Sequence, residues 1–254
     1  MLQLRIEDAE PPGERLQRVL GMIAAQRGAA DLVMLPELWL TGAFATEQAI
    51  ASAEPLDGPT FGALAEAARK ARVHVLAGSL AEAGSKPFNT AVVFGPDGSR
   101  LAVYRKIHLF GFDGGEAEAF SAGDPTPVVW ESPWGRLGLA TCYDLRFPEL
   151  FRALVDAGAL GFLVPTGWPQ RRIGRWDVLA RARAIENQAW LVGVNAVGTH
   201  AGFQMGGHSV VVDPVGEVLH EAPDNTEQVA VVDIDIATAI RWREEFPALR
   251  DRRM

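Results

Sequence analysis

The stretch GRLGLATCYDLRFPELFRALVDAGALGFLVPT, residues 135–166, decides how the whole chain is read. It opens on a short apolar run, Gly135 to Thr141, that reads as a strand. It continues through FPELFRALVDAG (147–158), whose Leu150, Phe151, Leu154 and Val155 recur at the three- and four-residue spacing of one helix face. It ends on a second strand, GFLVPT (161–166). Strand, helix and strand in direct succession mark an α/β fold.

Working outward, the same alternation appears earlier, in DLVMLPE (31–37), the helix FGALAEAARKAR (61–72) and the strand VHVLAGSL (73–80). Each half then reaches a β-hairpin: NTAVVFGPDGSRLAVYRK (89–106) turns at PDG, and HSVVVDPVGEVLHEA (208–222) turns at PVG. Hairpins in matching places suggest an internal structural duplication, although the pattern is too loose for a sequence repeat. With no low-complexity segment or obvious linker, residues 1–254 are expected to form one compact domain. The tail EQVAVVDIDIATAIRWREEFPALRDRRM (227–254) reads as a last strand, a helix entered near Thr238 and an extension containing Pro247. The extension, roughly residues 238–254, needs something to pack on, and a neighbouring subunit is one candidate.

At 254 residues, 48% hydrophobic and 22% charged, the chain has ordinary globular proportions and enough length for a substantial core. No run approaches the roughly eighteen apolar residues of a membrane span. The opening MLQLRIEDAE carries acids where a secretion signal is apolar, so a soluble cytoplasmic protein is expected. A net charge of −8 disfavours nucleic acid, whose phosphates need basic surface. The basic concentrations Arg171, Arg172, Arg175 and Arg250, Arg252, Arg253 read as solvated surface. A single cysteine, Cys142, excludes an internal disulfide and any CxxC motif. The histidines His74, His108, His200, His208 and His220 show neither HxxxH nor HExxH spacing, so no metal site is expected.

Three residues at predicted strand ends have side chains suited to chemistry. Cys142 lies on a strand-to-helix turn, where a nucleophile is presented outward and nearby helix amides lower a thiol's pKa. Its bland alternative is a buried structural cysteine. Glu37 ends DLVMLPE, and desolvation by Leu35 and Trp39 would raise its pKa toward that of a general base; the alternative is a solvated loop acid. Lys106, in YRKIHLF, is either an active ammonium or the guard of an edge strand. A papain-like pairing of Cys142 with His108 is a further alternative. Against it, His108 is two residues from Lys106, nearly 7 Å along a strand.

LPE, YRKxHLF and TCYDLRFPEL, in that order and each at a strand end, together resemble the nitrilase (carbon-nitrogen hydrolase) superfamily. The resemblance continues through EAEAFSAGD (116–124), PTGWP (165–169), RARAIENQAWLVGVNAVG (181–198) and GHSVVVDPVGEV (207–218), nearly the whole chain. It implies a four-layer α-β-β-α sandwich and homodimers that extend it. It also implies Glu37 as general base, Cys142 as nucleophile and Lys106 as oxyanion cation. Glu116 matches a second glutamate that positions the lysine, with Glu118 as its competitor for that role. No metal or organic cofactor is implied.

CYDLRFP, WPQRRIGRW, RARAIENQAW and REEFPALRD resemble the omega-amidase branch most. That branch cleaves the terminal amide of small dicarboxylate monoamides such as 2-oxoglutaramate and succinamate. Arg172 falls where it carries an arginine, and a guanidinium suits a distal carboxylate. Tyr143 and Trp168 are the expected pocket walls. The alternatives are an amidase for deaminated glutathione, N-carbamoyl compounds or aliphatic amides, and a non-catalytic interaction module that keeps the fold.

Overall fold

The structure, a computed structural model, describes residues 1–111 and 115–253. Its first half comprises β1 (Leu2–Gln3), α1 (Pro12–Ala24), β2 (Leu32–Met34), α2 (Thr46–Ala51), α3 (Pro59–Ala71), β3 (His74–Glu82), β4 (Phe88–Phe94) and β5 (Arg100–Arg105). After α4 (Glu116–Ala119) come β6 (Val129–Ser132), β7 (Gly135–Leu139), α5 (Pro148–Asp156), β8 (Gly161–Pro165), α6 (Ile173–Asn187) and β9 (Trp190–Val194). The small hairpin β10 (Thr199–His200) and β11 (Phe203–Gln204) is followed by β12 (Val210–Val212), β13 (Val218–Glu221), β14 (Gln228–Val229) and α7 (Ala237–Glu245).

Two sheets result. One runs β2-β3-β4-β5 and the other β13-β12-β9-β8-β7-β6. Strands β2 and β3 are parallel, as are β7, β8 and β9, and both predicted hairpins are present as β4–β5 and β12–β13. Parallel strands followed by an antiparallel pair recur in both halves, which is the duplication seen in the sequence pattern.

Why the sheets stack follows from residue alternation. Val33, Val75 and Val92 face outward onto α1 and α3, meeting Val19, Ile23, Phe61 and Leu64. Their neighbours Met34, Leu76 and Val93 face inward and meet Leu137, Leu139, Leu163, Val192 and Val211 of the second sheet. On that sheet's far face, Phe162, Val164, Leu191 and Val212 pack on Leu150, Phe151, Leu154, Trp176 and Ala180 of α5 and α6. Period-two side chains on strands covered on both faces produce three apolar layers, and hence the order α-β-β-α. Prolines at the start of α1, α3 and α5 set the first helical φ where no backbone donor is needed.

The tail departs from its alternating pattern. Gln228–Val229 pairs as a strand against β1, Ala230 exchanges both backbone hydrogen bonds with Met1, and residues 231–236 run on without a ladder partner. Beyond α7 the chain folds back on its own body. Arg243 donates to the carbonyls of Ala159, Asn187 and Gln188, and Gln188 Nε2 donates to Phe246 O at 2.6 Å. No helix among the described residues is long and apolar enough to cross a membrane.

Candidate active site

Glu37 follows β2, where the chain bends through Leu38 at a left-handed φ of 42°. Leu38 N donates to Ser79 Oγ at 3.0 Å and Trp39 Nε1 to Ala77 O at 2.8 Å, so β3 holds the bend. Gly78, with φ of 64°, makes this possible, because a Cβ there would stand 1.9 Å from Pro36 O. Glu37 N then donates to Thr166 O at 3.2 Å, stitching the end of β2 to the end of β8 in the other sheet.

Lys106 comes directly after β5. Its N–H donates to Asn89 O and its carbonyl accepts from Gly123 N, each at 2.9 Å. The side chain is buried, with Nζ 2.7 Å from Glu37 Oε1 and 2.6 Å from Glu116 Oε2. Asn89 Nδ2 donates to both carboxylates, at 3.0 Å to Glu37 and 2.7 Å to Glu116, and Phe110 N donates to Glu116 at 2.8 Å. An unpaired buried ammonium would cost several kcal/mol; here two acids pair with it, and the Asn89 amide bridges the acids. Glu116 is therefore the acid beside the lysine. Glu118 is exposed and stands outside the cluster.

Cys142 follows β7 and begins a short 3₁₀ turn, Cys142–Arg146, with its own φ at 47°. Its half-buried thiol is hydrogen-bonded to Glu37 and faces Thr166. Burial and the negative Glu37 push the thiol well above its ordinary pKa, only partly opposed by Lys106. The sequence pattern suggested the reverse, a thiol acidified by helix amides. One turn of 3₁₀ helix has little dipole, whereas the carboxylate is in contact. The resting group is thus a neutral thiol beside an acceptor. Burial also raises the Glu37 carboxyl; Lys106 opposes this and Glu116 adds to it. For Lys106, burial favours the neutral amine, but Glu116 and Glu37 together hold its pKa well above the ordinary lysine value.

These groups open into a pocket of about 80 Å³ whose walls include Phe44, Phe110, Tyr143 and Trp168, so the predicted aromatic walls are present. Arg172 also lines it, its guanidinium 4.8 Å over Phe110. Burial, and then the neighbouring Arg171, Arg146 and Arg175, lower the Arg172 pKa, the mark of a crowded cationic rim. Arg146, which the sequence pattern did not single out, joins it in the lining, 4.7 Å over Trp168 and 5.9 Å over Tyr143. Asn89 was missed as well, although a fully buried asparagine inside the apolar strand FNTAVVF is an out-of-place residue that could have drawn notice.

His108 is engaged elsewhere. Its Nδ1 lies 2.7 Å from Asp144 Oδ1, its ring stacks on Phe147 at 3.8 Å, and it is outside the pocket lining. A larger cavity of about 420 Å³ opens at the opposite ends of the strands, among Met34, Leu163 and Trp190, and contains none of the reactive groups. Asp177, His208 and Glu221 bring three potential ligand atoms within 4.8 Å of one another, a grouping that chain spacing does not reveal. There His208 Nδ1 already pairs with Asp177 at 3.0 Å.

Known proteins match the chain over nearly its whole length. The family model for carbon-nitrogen hydrolases matches residues 1–244. A 2-oxoglutaramate amidase of Paenarthrobacter nicotinovorans is 39% identical, over 99% of this chain and 88% of that protein. An omega-amidase of Xenopus tropicalis is 35% identical, over 94% of this chain and 90% of its own. Among solved structures, a mutant of the amidase from Nesterenkonia sp. AN1 superposes with a TM-score of 0.85 at 29% identity, covering 99% of this chain and 92% of that one. It carries the acetamide moiety of fluoroacetamide covalently on its active-site cysteine. A buried acid and lysine brought together with a half-buried cysteine where two sheets meet, and matches over nearly the full length, lead to one conclusion: the chain belongs to the carbon-nitrogen hydrolase family.

Proposed function

We propose that this enzyme hydrolyses the terminal amide of small dicarboxylate monoamides, with 2-oxoglutaramate and succinamate as model substrates, through a thioester on Cys142. What carries the reading is the convergence of the Cys142 thiol, the Glu37 carboxylate and the Lys106 ammonium on one small pocket. An amide needs an activated nucleophile, a proton for the leaving nitrogen and a stabilised oxyanion. Glu37 takes the thiol proton as sulfur attacks the carbonyl carbon, and Lys106 with a backbone N–H near Tyr143 holds the oxyanion. Glu37 returns the proton to nitrogen, and ammonia leaves. Water, deprotonated by the same carboxylate, then attacks the thioester, releasing the acid and restoring the thiol. Glu116 holds Lys106 in place.

Arg172 and Arg146 support the choice of substrate, because two guanidiniums in the lining suit a distal carboxylate. The relatives named for 2-oxoglutaramate and omega-amides support it too. The reading also has residues 1–254 working as one domain in a cytoplasmic homodimer. Exposed Val178 and Ile185 on α6, with Val218 and Leu219 on β13, offer a second copy an apolar face. Light scattering after size exclusion tests the dimer.

The activity test is ammonia release from succinamate, 2-oxoglutaramate and a neutral amide of similar length. The two acids should show the higher kcat/KM, and Arg146→Ala or Arg172→Ala should remove much of that preference. Cys142→Ala should release no ammonia. Equal specificity constants for acid and neutral amides would end the carboxylate reading.

A further inference from the structure

The carboxylate of Asp144 is completely buried and takes no part in the pocket lining, yet four donors converge on it. Its Oδ2 accepts from Tyr104 OH at 2.5 Å and from Thr141 N at 2.8 Å. Its Oδ1 accepts from His108 N at 3.0 Å and from His108 Nδ1 at 2.7 Å. Tyr104 and His108 stand two residues before and two after Lys106, and Thr141 immediately precedes Cys142. One acidic group therefore grips the segment that carries the ammonium on both sides and the turn that carries the sulfur. The turn needs such a grip, because Cys142 is a non-glycine residue at a φ of 47° and persists there only if its surroundings over-determine it.

We propose that Asp144 is a positioning residue that keeps the Cys142 turn and the Lys106 strand in register. Substrate never touches it; it acts through Thr141 on one side and through Tyr104 and His108 on the other. Attack and oxyanion capture take place on the two ends of one carbonyl, so the nucleophile and its cation must share a fixed separation. A shift of about 1 Å in such a pair costs on the order of a hundredfold in rate. Binding of the distal carboxylate is shared between Arg146, at the end of this turn, and Arg172 outside it, so it should change far less than the rate.

The inference rests on Cys142 and Lys106 acting on the same acyl group, a premise that ammonia release by the unaltered chain tests by itself. Asp144→Asn replaces one acceptor with an NH₂ group facing donors. It should lower kcat for succinamate about thirtyfold or more while KM stays within about threefold. Tyr104→Phe and His108→Asn each remove part of the grip on the lysine side only, and each should lower kcat about threefold to tenfold at unchanged KM. Neither should lower it further in the Asp144→Asn background, because residues acting through one group are non-additive. Alkylation of Cys142 by iodoacetamide, which needs no oxyanion cation, should stay within about threefold in the Tyr104 and His108 variants. Multiplicative losses, or kcat for Asp144→Asn within about threefold of the unaltered chain, would overturn the proposal. If Asp144→Asn fails to fold, the single variants decide: unchanged kcat in both sinks it, and a fall in kcat matched by alkylation refutes the split between turn and strand.

Discussion

At the scale of single residues, protonation sets the chemistry. Glu37 must be ionised to accept the thiol proton, and burial, opposed by Lys106 and reinforced by Glu116, holds its carboxyl above the ordinary value. The value of kcat/KM should therefore fall as pH drops through a limb lying above the usual carboxylate range. Glu116→Gln removes a like charge and should move that limb to lower pH; a limb that moves upward in the pH-rate profile contradicts this account. His200 gives a stability counterpart. It is fully buried, and burial lowers its pKa from 6.5 to about 4. The unfolded chain then binds a proton near pH 6.5 that the folded chain refuses until about pH 4. Stability is complete above pH 6.5 and declines between those values, by about 3 kcal/mol at most. Urea unfolding of His200→Phe should show a flatter acid slope than the unaltered chain, provided the larger ring is accommodated beside Gly42.

At the scale of elements, the loop after β2 and the turn after β7 are counterparts, each carrying a reactive group next to a left-handed residue, Leu38 or Cys142 itself. Gly78 underlies the first. Gly78→Ala would drive a methyl group into Pro36 O, an atom of rigid backbone, and should cost roughly 2–3 kcal/mol in denaturant unfolding. It should also lower turnover by displacing Glu37. The strands and hairpins were legible in the sequence because period-two apolar runs such as NTAVVF have few other uses; the acid, lysine and cysteine each end such a run, but it was the joint resemblance of LPE, YRKxHLF and TCYDLRFPEL to the carbon-nitrogen hydrolases that singled them out. Other features were not legible. EQVAVVDIDI alternates like a strand, but only Gln228, Val229 and Ala230 find backbone partners, and a partner is a property of the whole fold. Asn89, Arg146 and Asp144 act across contacts between residues far apart in the chain, which neither spacing nor period encodes. The acidified thiol failed for a related reason: the carboxylate that governs it comes from the other sheet.

At the scale of the molecule, a chain of net charge −8 presents Arg146 and Arg172 in the lining of its pocket, with Arg171 and Arg175 close enough to Arg172 to lower its pKa. Local field and overall charge thus oppose each other. Screening by salt weakens the local attraction, so KM for succinamate should rise between about 0.02 M and 0.5 M salt while KM for a neutral amide stays nearly constant. Parallel salt curves for the two substrates would remove the arginines from recognition. The hydrogen bond from Glu37 N to Thr166 O, which joins the two sheets beside the thiol, has one more consequence. Glu37 and Lys106 belong to the half before β6 and Cys142 to the half after it, so a polypeptide severed between Ser121 and Val128 would yield two inert fragments. Any turnover regained on mixing them would time the reassembly of the sandwich, making the enzyme its own reporter of how its halves come together.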